Sequence, residues 1–139
     1  MLKVSECPAA HTLHAHTANG YCIEFDPRSE HFAVGGADAM VSVWSVRELA
    51  CVRTCARLEW PVRTLSFSHD CAYLASGSED PIIDIASVAT GEQAHVIPST
   101  APMNSVAWHP SKLLLAFAGD DKDRQGRDEG SVRIFGYEP

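Results

Sequence analysis

The chain repeats itself. Cys22-Ile23-Glu24-Phe25-Asp26-Pro27 aligns with Thr64-Leu65-Ser66-Phe67-Ser68-His69 and with Ser105-Val106-Ala107-Trp108-His109-Pro110. The aromatics Phe25, Phe67 and Trp108 are spaced by 42 and then 41 residues, and Ala33, Ala75 and Ala116 repeat both spacings. A third block reads Val41-Ser42-Val43-Trp44, Ile83-Asp84-Ile85-Ala86 and Val132-Arg133-Ile134-Phe135. Its last interval is 49, which places an insertion of about eight residues before Val132. A period of this length constrains the fold more than any other feature, because one repeat is one supersecondary unit that buries its faces only by stacking on neighbours.

Each block is a strand by its chemistry. Apolar residues alternate at period two (Ile23/Phe25, Leu65/Phe67, Val106/Trp108, Val41/Val43, Ile83/Ile85, Val132/Ile134), and most are β-branched or aromatic. Turn chemistry separates them: Asp26-Pro27, Ser68-His69-Asp70, Asp80-Pro81, Thr90-Gly91-Glu92 and His109-Pro110-Ser111. No window carries a helical stripe. Strands a, b, c and a looser d within about 40 residues describe a propeller blade. The expected fold is all-β, a β-propeller fragment of about three four-stranded blades forming an open arc rather than a closed ring.

His16, Asp38 and Trp44 lie before strand a, in the b–c turn and on strand c of the first repeat, Asp38 six residues before Trp44. In this pattern the chain resembles the WD-repeat family, which implies that these three bond to one another inside the blade. The closing Asp of the Trp-Asp signature is absent, since Ser45 follows Trp44. In the second repeat Asp80 remains while Ala86 stands at the Trp position, and in the third Phe135 does. The expected structural network is His16, Asp38, Trp44 and Asp80.

A narrower resemblance to one branch of that family runs from about His14 to Gly136. It rests on the run Trp60 to Asp70, on Ser78-Glu79-Asp80 with Ile83 to Ala86, on Cys51-Val52-Arg53, and on Leu115 to Ala118 with Asp120-Asp121-Lys122-Asp123. Cys71 stands where that branch carries a turn glycine. The branch implies a nuclear, non-enzymatic scaffold in an assembly that couples messenger RNA synthesis and processing to export. Its partners would be other proteins of that assembly, with RNA contacted indirectly, no membrane, no cofactor and no small-molecule substrate.

The repeats divide the chain into 15–57, 58–98 and 99–139, the last with an inserted acidic b–c loop at 120–130. Residues 1–14, with Lys3-Val4 and His11-Thr12-Leu13 as strands, read as the tail of a preceding blade. The expectation is therefore the C-terminal part of a longer propeller, lacking its upstream blades.

In an antiparallel blade the b–c and d–a loops share one side of the disk. Trp60, Pro61, Arg63, Asp120, Asp121, Lys122 and Asp123 are thereby gathered as a candidate partner-docking face, Trp and Arg being the residues that anchor interfaces. The alternative is that Trp60 plugs the gap between blades and the insertion is a solvated loop. A second functional reading makes Trp60, Arg63, Arg53 and Arg57 stacking and phosphate contacts to RNA. Against it, 11 basic and 18 acidic residues give a net charge of −7, where bulk phosphate binding needs a cationic face. A third is an adaptor of an unrelated complex, because fold alone does not fix the partner.

Catalysis and metal binding find little support. Ser68-His69-Asp70 are neighbours in a turn and cannot form a triad, whose members converge from separate segments. Asp121, Asp123, Gln125 and Gly126 mimic the start of a calcium loop, but Val132 stands at the twelfth position, where a bidentate Glu is needed. His11, His14 and His16 with Cys7 suggest a metal cluster, yet His16 has the blade role and His11 sits beside a turn. Asp84 alternates with Ile83 and Ile85 and so faces away from them. Five cysteines (Cys7, Cys22, Cys51, Cys55, Cys71) lack paired zinc spacing. The first thirty residues hold no basic segment followed by an apolar stretch, so free thiols in a reducing compartment are expected. The longest apolar run, Leu113–Ala118, is six residues, against the ~20 a bilayer span requires.

Overall fold

The structure is a computed structural model that describes residues 11–139. Its regular elements are eleven strands: β1 Gly20–Phe25, β2 His31–Gly36, β3 Val41–Ser45, β4 Cys51–Cys55, β5 Thr64–Phe67, β6 Tyr73–Gly77, β7 Ile82–Ser87, β8 Gln93–Pro98, β9 Met103–Trp108, β10 Leu114–Gly119 and β11 Val132–Gly136. They form three antiparallel meanders in chain order, β1-β2-β3-β4, β5-β6-β7-β8 and β9-β10-β11. The repeat is thus a blade, and the sheets stack as an unclosed all-β arc. The third blade has three strands where its neighbours have four.

The period-two pattern decides which face of each blade is buried. In the first blade Ala33, Val41 and Val43 point toward the second and pack on Leu65, Phe67, Leu74 and Ala86. The second blade turns Ala75, Ile83 and Ile85 the other way, onto Val106, Trp108, Leu115 and Phe117 of the third. Register is held across the second boundary by hydroxyls of β5. Thr64 Oγ1 accepts the Val106 amide at 3.1 Å, and Ser66 Oγ accepts the Trp108 amide at 3.0 Å. Across the first boundary a Cβ on Gly35 would lie 2.6 Å from Val62 Cγ1, so the connection between blades can approach only a glycine there.

Two turn positions recur with left-handed backbone. Ser29 and Cys71, 42 apart, occupy the a–b turns with φ of 59° and 60°, and Leu49 and Gly91 occupy the c–d turns with φ of 51° and 75°. Only the last is the residue type that takes this conformation without steric cost. One departure from the sequence expectation stands out. His11-Thr12-Leu13 is irregular chain rather than strand, having no sheet partner among the described residues. Lys3-Val4 and Cys7 lie outside the described residues. Asp84 does face away from Ile83 and Ile85, but not into solvent: it is 1% exposed.

Candidate functional site

The b–c turn of every blade carries a buried or nearly buried aspartate, and each satisfies it differently. In the first blade Asp38 receives the His16 ring nitrogen Nδ1, 2.9 Å from both carboxylate oxygens. His16 Nε2 lies 2.9 Å from Ser42 Oγ, which accepts the Trp44 indole N–H at 2.8 Å. One direction of protons satisfies all four groups: Trp44 donates to Ser42, Ser42 to His16, and His16 to Asp38. Partial burial raises the Asp38 pKa. Bonds from His16 and from the Met40 amide outweigh it, and the carboxyl ends below its ordinary value. Ser42 is absent from the sequence reading, although its place two residues before Trp44 puts both side chains on one face of β3.

In the second blade Leu58, Asp84 and Ala86 stand where the first has His16, Ser42 and Trp44. Asp80 now accepts the backbone amides of Glu59 and Trp60 at 3.0–3.1 Å, together with the Ser78 hydroxyl. It therefore pins the d–a loop that carries Trp60. Asp84 meets a cation from outside its own blade. Arg57, in the connection from β4 to β5, approaches it with Nε at 2.9 Å and Nη2 at 2.8 Å, and Gln93 adds a third donor at 2.8 Å. The bond to Asp84 holds the Arg57 guanidinium above its already high pKa, although burial pulls the other way.

In the third blade the aspartate is Asp121, 6% exposed, which accepts Ser131 Oγ at 3.0 Å and pairs with Arg133 at 3.1 Å. The insertion beyond it is self-bonded. Lys122 and Asp128 pair through both backbone and side chains. Asp123 accepts the amides of Gln125 and Arg127 at 2.9 Å and the Arg127 guanidinium at 2.8 Å. A calcium loop is not built here, because Asp121 and Asp123 are already turned to arginines. Among the described residues no three His, Cys, Asp or Glu side chains converge on one point.

On the same side of the arc, Trp60 is 53% exposed. The plug reading of this residue is overturned: Leu58 and Val62, on either side of it, enter the core between blades and leave the indole outside. Pro61 is half-buried. Arg63 pairs with Glu79 and donates to Asn104 at 3.3 Å, and Asn104 donates to Asp120 at 2.6 Å. A continuous polar row thus joins the Trp60 loop to the start of the insertion. Arg53, Arg57 and Arg63, the cations of the RNA reading, are all engaged. Arg53 donates to the Ala89 carbonyl at 2.5 and 3.0 Å, Arg57 binds Asp84, and Arg63 binds Glu79.

The model of the WD domain, G-beta repeat, family matches residues 8–45 and 50–84, more than half of the chain. Over 128 residues the chain is 56% identical to THO complex subunit 3 of Arabidopsis thaliana, covering 91% of this chain and 41% of that protein. It is 36% identical over 126 residues to the WD repeat-containing protein AAC3 of Dictyostelium discoideum, covering 91% of this chain and 26% of the relative. The chain thus spans less than half the length of these relatives. Among solved structures, the Cps50 (Swd1) β-propeller domain of Myceliophteria thermophila superposes with a TM-score of 0.69 over 86% of this chain and 38% of that one. At 18% identity that likeness speaks for the fold alone. The chain belongs to the WD-repeat family.

Proposed function

We propose that this WD-repeat chain is a non-enzymatic scaffold of a THO-type assembly in the nucleus, supporting messenger RNA processing and export through contacts with the other protein subunits. The repeats 15–57, 58–98 and 99–139 act as one platform. The observation that carries the reading is the 56% identity to a THO complex subunit over nine-tenths of the chain. The matched stretch of 128 residues takes in the loops as well as the strands, and loops are where propellers with a common fold differ in partner.

The docking face we infer is the Trp60 loop with Pro61, Arg63 and the insertion Asp120, Asp121, Lys122 and Asp123. Its geometry favours a protein partner. An aromatic ring is held outward by a loop that Asp80 fixes, and the surrounding charges pair among themselves, which lowers the cost of ordering them on binding. RNA is disfavoured as a direct ligand because the nearby arginines are engaged and the chain carries −7.

The test is affinity capture from nuclear extract with and without nuclease, comparing the wild-type chain with Trp60→Ala. Recovery of identified THO subunits in both nuclease arms, reduced at least tenfold by Trp60→Ala, supports the scaffold reading and its site. Recovery that vanishes with nuclease would make RNA the bridge. Capture of no THO subunit would overturn the assignment.

A further inference from the structure

The connections that lead into the three blades differ at one position. Ala18, Trp60 and Ala101 follow the same spacings of 42 and 41 residues as the strands do. At the entry to the third blade Ala101 is 6% exposed, and its carbonyl and amide are both bonded by the Ser99 hydroxyl, at 2.8 and 3.3 Å. A methyl group is therefore enough to close this connection. At the entry to the second blade Leu58 and Val62 supply the contacts with the core, and the indole between them is left over. Trp44 and Trp108 are 9% and 8% exposed, against 53% for Trp60. The ring is also held in place, because the buried Asp80 carboxylate accepts the amides of Glu59 and Trp60. A rigid, amphipathic ring on a fixed loop loses little freedom when something covers it.

The charges around that loop select what covers it. Four cations on this side of the blades are each taken up by a carboxylate: Arg63 by Glu79, Lys122 by Asp128, Arg127 by Asp123 and Arg133 by Asp121. These pairs cancel. Among the described residues Glu59, Asp80, Asp120 and Glu129 face no cation, and Arg124 is the one cation of the insertion without a carboxylate. Glu59 is exposed and adjoins Trp60 in sequence, and Asp120, also exposed, closes the row Arg63-Asn104-Asp120. The outward aromatic thus stands in a surplus of negative charge.

We propose that the occupant of this face is an arginine-bearing segment of a partner protein, with one guanidinium lying over the Trp60 indole and neighbouring cations meeting Glu59 and Asp120. Tryptophan offers the strongest cation–π surface of the aromatic side chains. Arginine suits it better than lysine does, because its planar, weakly hydrated group stacks on a ring while its N–H donors still reach carboxylates beside it. The same acidic surplus repels a phosphate backbone, so the complementarity favours a cationic peptide over RNA. The inference rests on the docking face proposed above and adds the chemistry of what binds there.

The test uses the 139-residue chain and three labelled octapeptides, repeats of Gly-Arg, Gly-Lys and Gly-Glu, with binding read by fluorescence anisotropy. The Gly-Arg peptide is expected to bind most tightly, the Gly-Lys peptide more weakly and the Gly-Glu peptide not at all. Trp60→Ala should weaken the Gly-Arg peptide about tenfold, and Trp60→Phe should restore part of that loss. Glu59→Gln and Asp120→Asn should each weaken it about threefold, less as salt rises. Because Trp60 is exposed and the other two tryptophans are buried, the bound peptide should also protect tryptophan emission from acrylamide. A Gly-Arg peptide that does not bind, or binds Trp60→Ala as well as wild type, would overturn the proposal. So would an oligouridylate that binds through Trp60 and displaces the peptide, which would make the ring an RNA platform. Capture of THO subunits that depends on Trp60 while the peptide fails would overturn this inference and leave the docking face standing. Peptide binding that depends on Trp60 would support it even where no THO subunit is captured.

Discussion

The first and second blades share a backbone and differ at their polar centres. Both keep the b–c aspartate. Around it the first blade builds a relay from strand β3 and the segment before β1 (Trp44, Ser42, His16), ending on Asp38. The second has Leu58 and Ala86 in place of the ring partners, spends Asp80 on backbone amides, and buries a further carboxylate, Asp84, that only Arg57 of the preceding connection can neutralise. The comparison teaches that the blade tolerates any side chains that leave no buried polar group alone. The second solution also ties one blade to the next, which the first does not.

The comparison breaks most severely at Arg57. Arg57→Leu leaves the Asp84 carboxylate buried with only Gln93 as a side-chain donor, and removing one partner of a buried pair typically costs about 3–5 kcal/mol. Urea unfolding should show a loss of that order, enough to unfold a marginal arc. Arg57→Leu combined with Asp84→Val, which removes both charges, should recover most of it. Failure of the double variant to recover would show that the pair is needed for more than mutual neutralisation.

Ser42→Ala ranks next. It strands the Trp44 indole N–H and the second His16 nitrogen, at about 1–3 kcal/mol for an unsatisfied buried group. The same unfolding measurement should register it. The equivalent change in the second blade, Asp84→Ala, should cost more, because it also strands the Arg57 guanidinium.

Acid probes the relay itself. The Asp38 carboxyl titrates below its ordinary value in the folded chain, so its contribution to stability is complete above the unfolded carboxylate pKa, about 4, and is lost as pH falls through the folded value. Asp38→Asn should therefore flatten the decline of stability below about pH 4 that the wild type shows. A decline unchanged in the variant would place the acid sensitivity elsewhere, Asp70 being the other half-buried carboxyl held low.

The smallest effect is expected at the a–b turns, where the blades agree. Cys71→Gly relieves a side chain held at φ 60° and should add about 0.5–1 kcal/mol, the cost of left-handed backbone being partly offset by the greater freedom of unfolded glycine. Ser29→Gly should do the same in the first blade. A thermal melt resolves both.

Most of the fold could be read from the residues in order. Alternation of Ile23/Phe25 and Val41/Val43 gives strands, and the 42-residue period gives blades and their number. His16, Asp38 and Trp44 were legible through a family pattern, whereas Ser42, bonded to two of them, was not, because serine on a strand carries no mark of burial. Asp84 was legible as a residue facing away from Ile83 and Ile85, and its burial was not. Arg57 and Arg63 looked like free cations, since a sequence shows charges without showing what stands opposite them. Trp60 reads in sequence more readily as a plug between blades than as an exposed anchor, and only the burial of Leu58 and Val62 on either side of it shows the indole left outside.

What the sequence determined by itself is local stereochemistry: which residues extend, where the chain turns and which side chains share a face, all set within a few residues by backbone sterics and the two-residue pleat. What the tertiary structure decided is partnership. Arg57 meets Asp84, and Asp80 holds the Trp60 loop. Burial and charge neutralisation are properties of pairs brought together within and between blades from positions 20 or more residues apart, so no short stretch of sequence contains them.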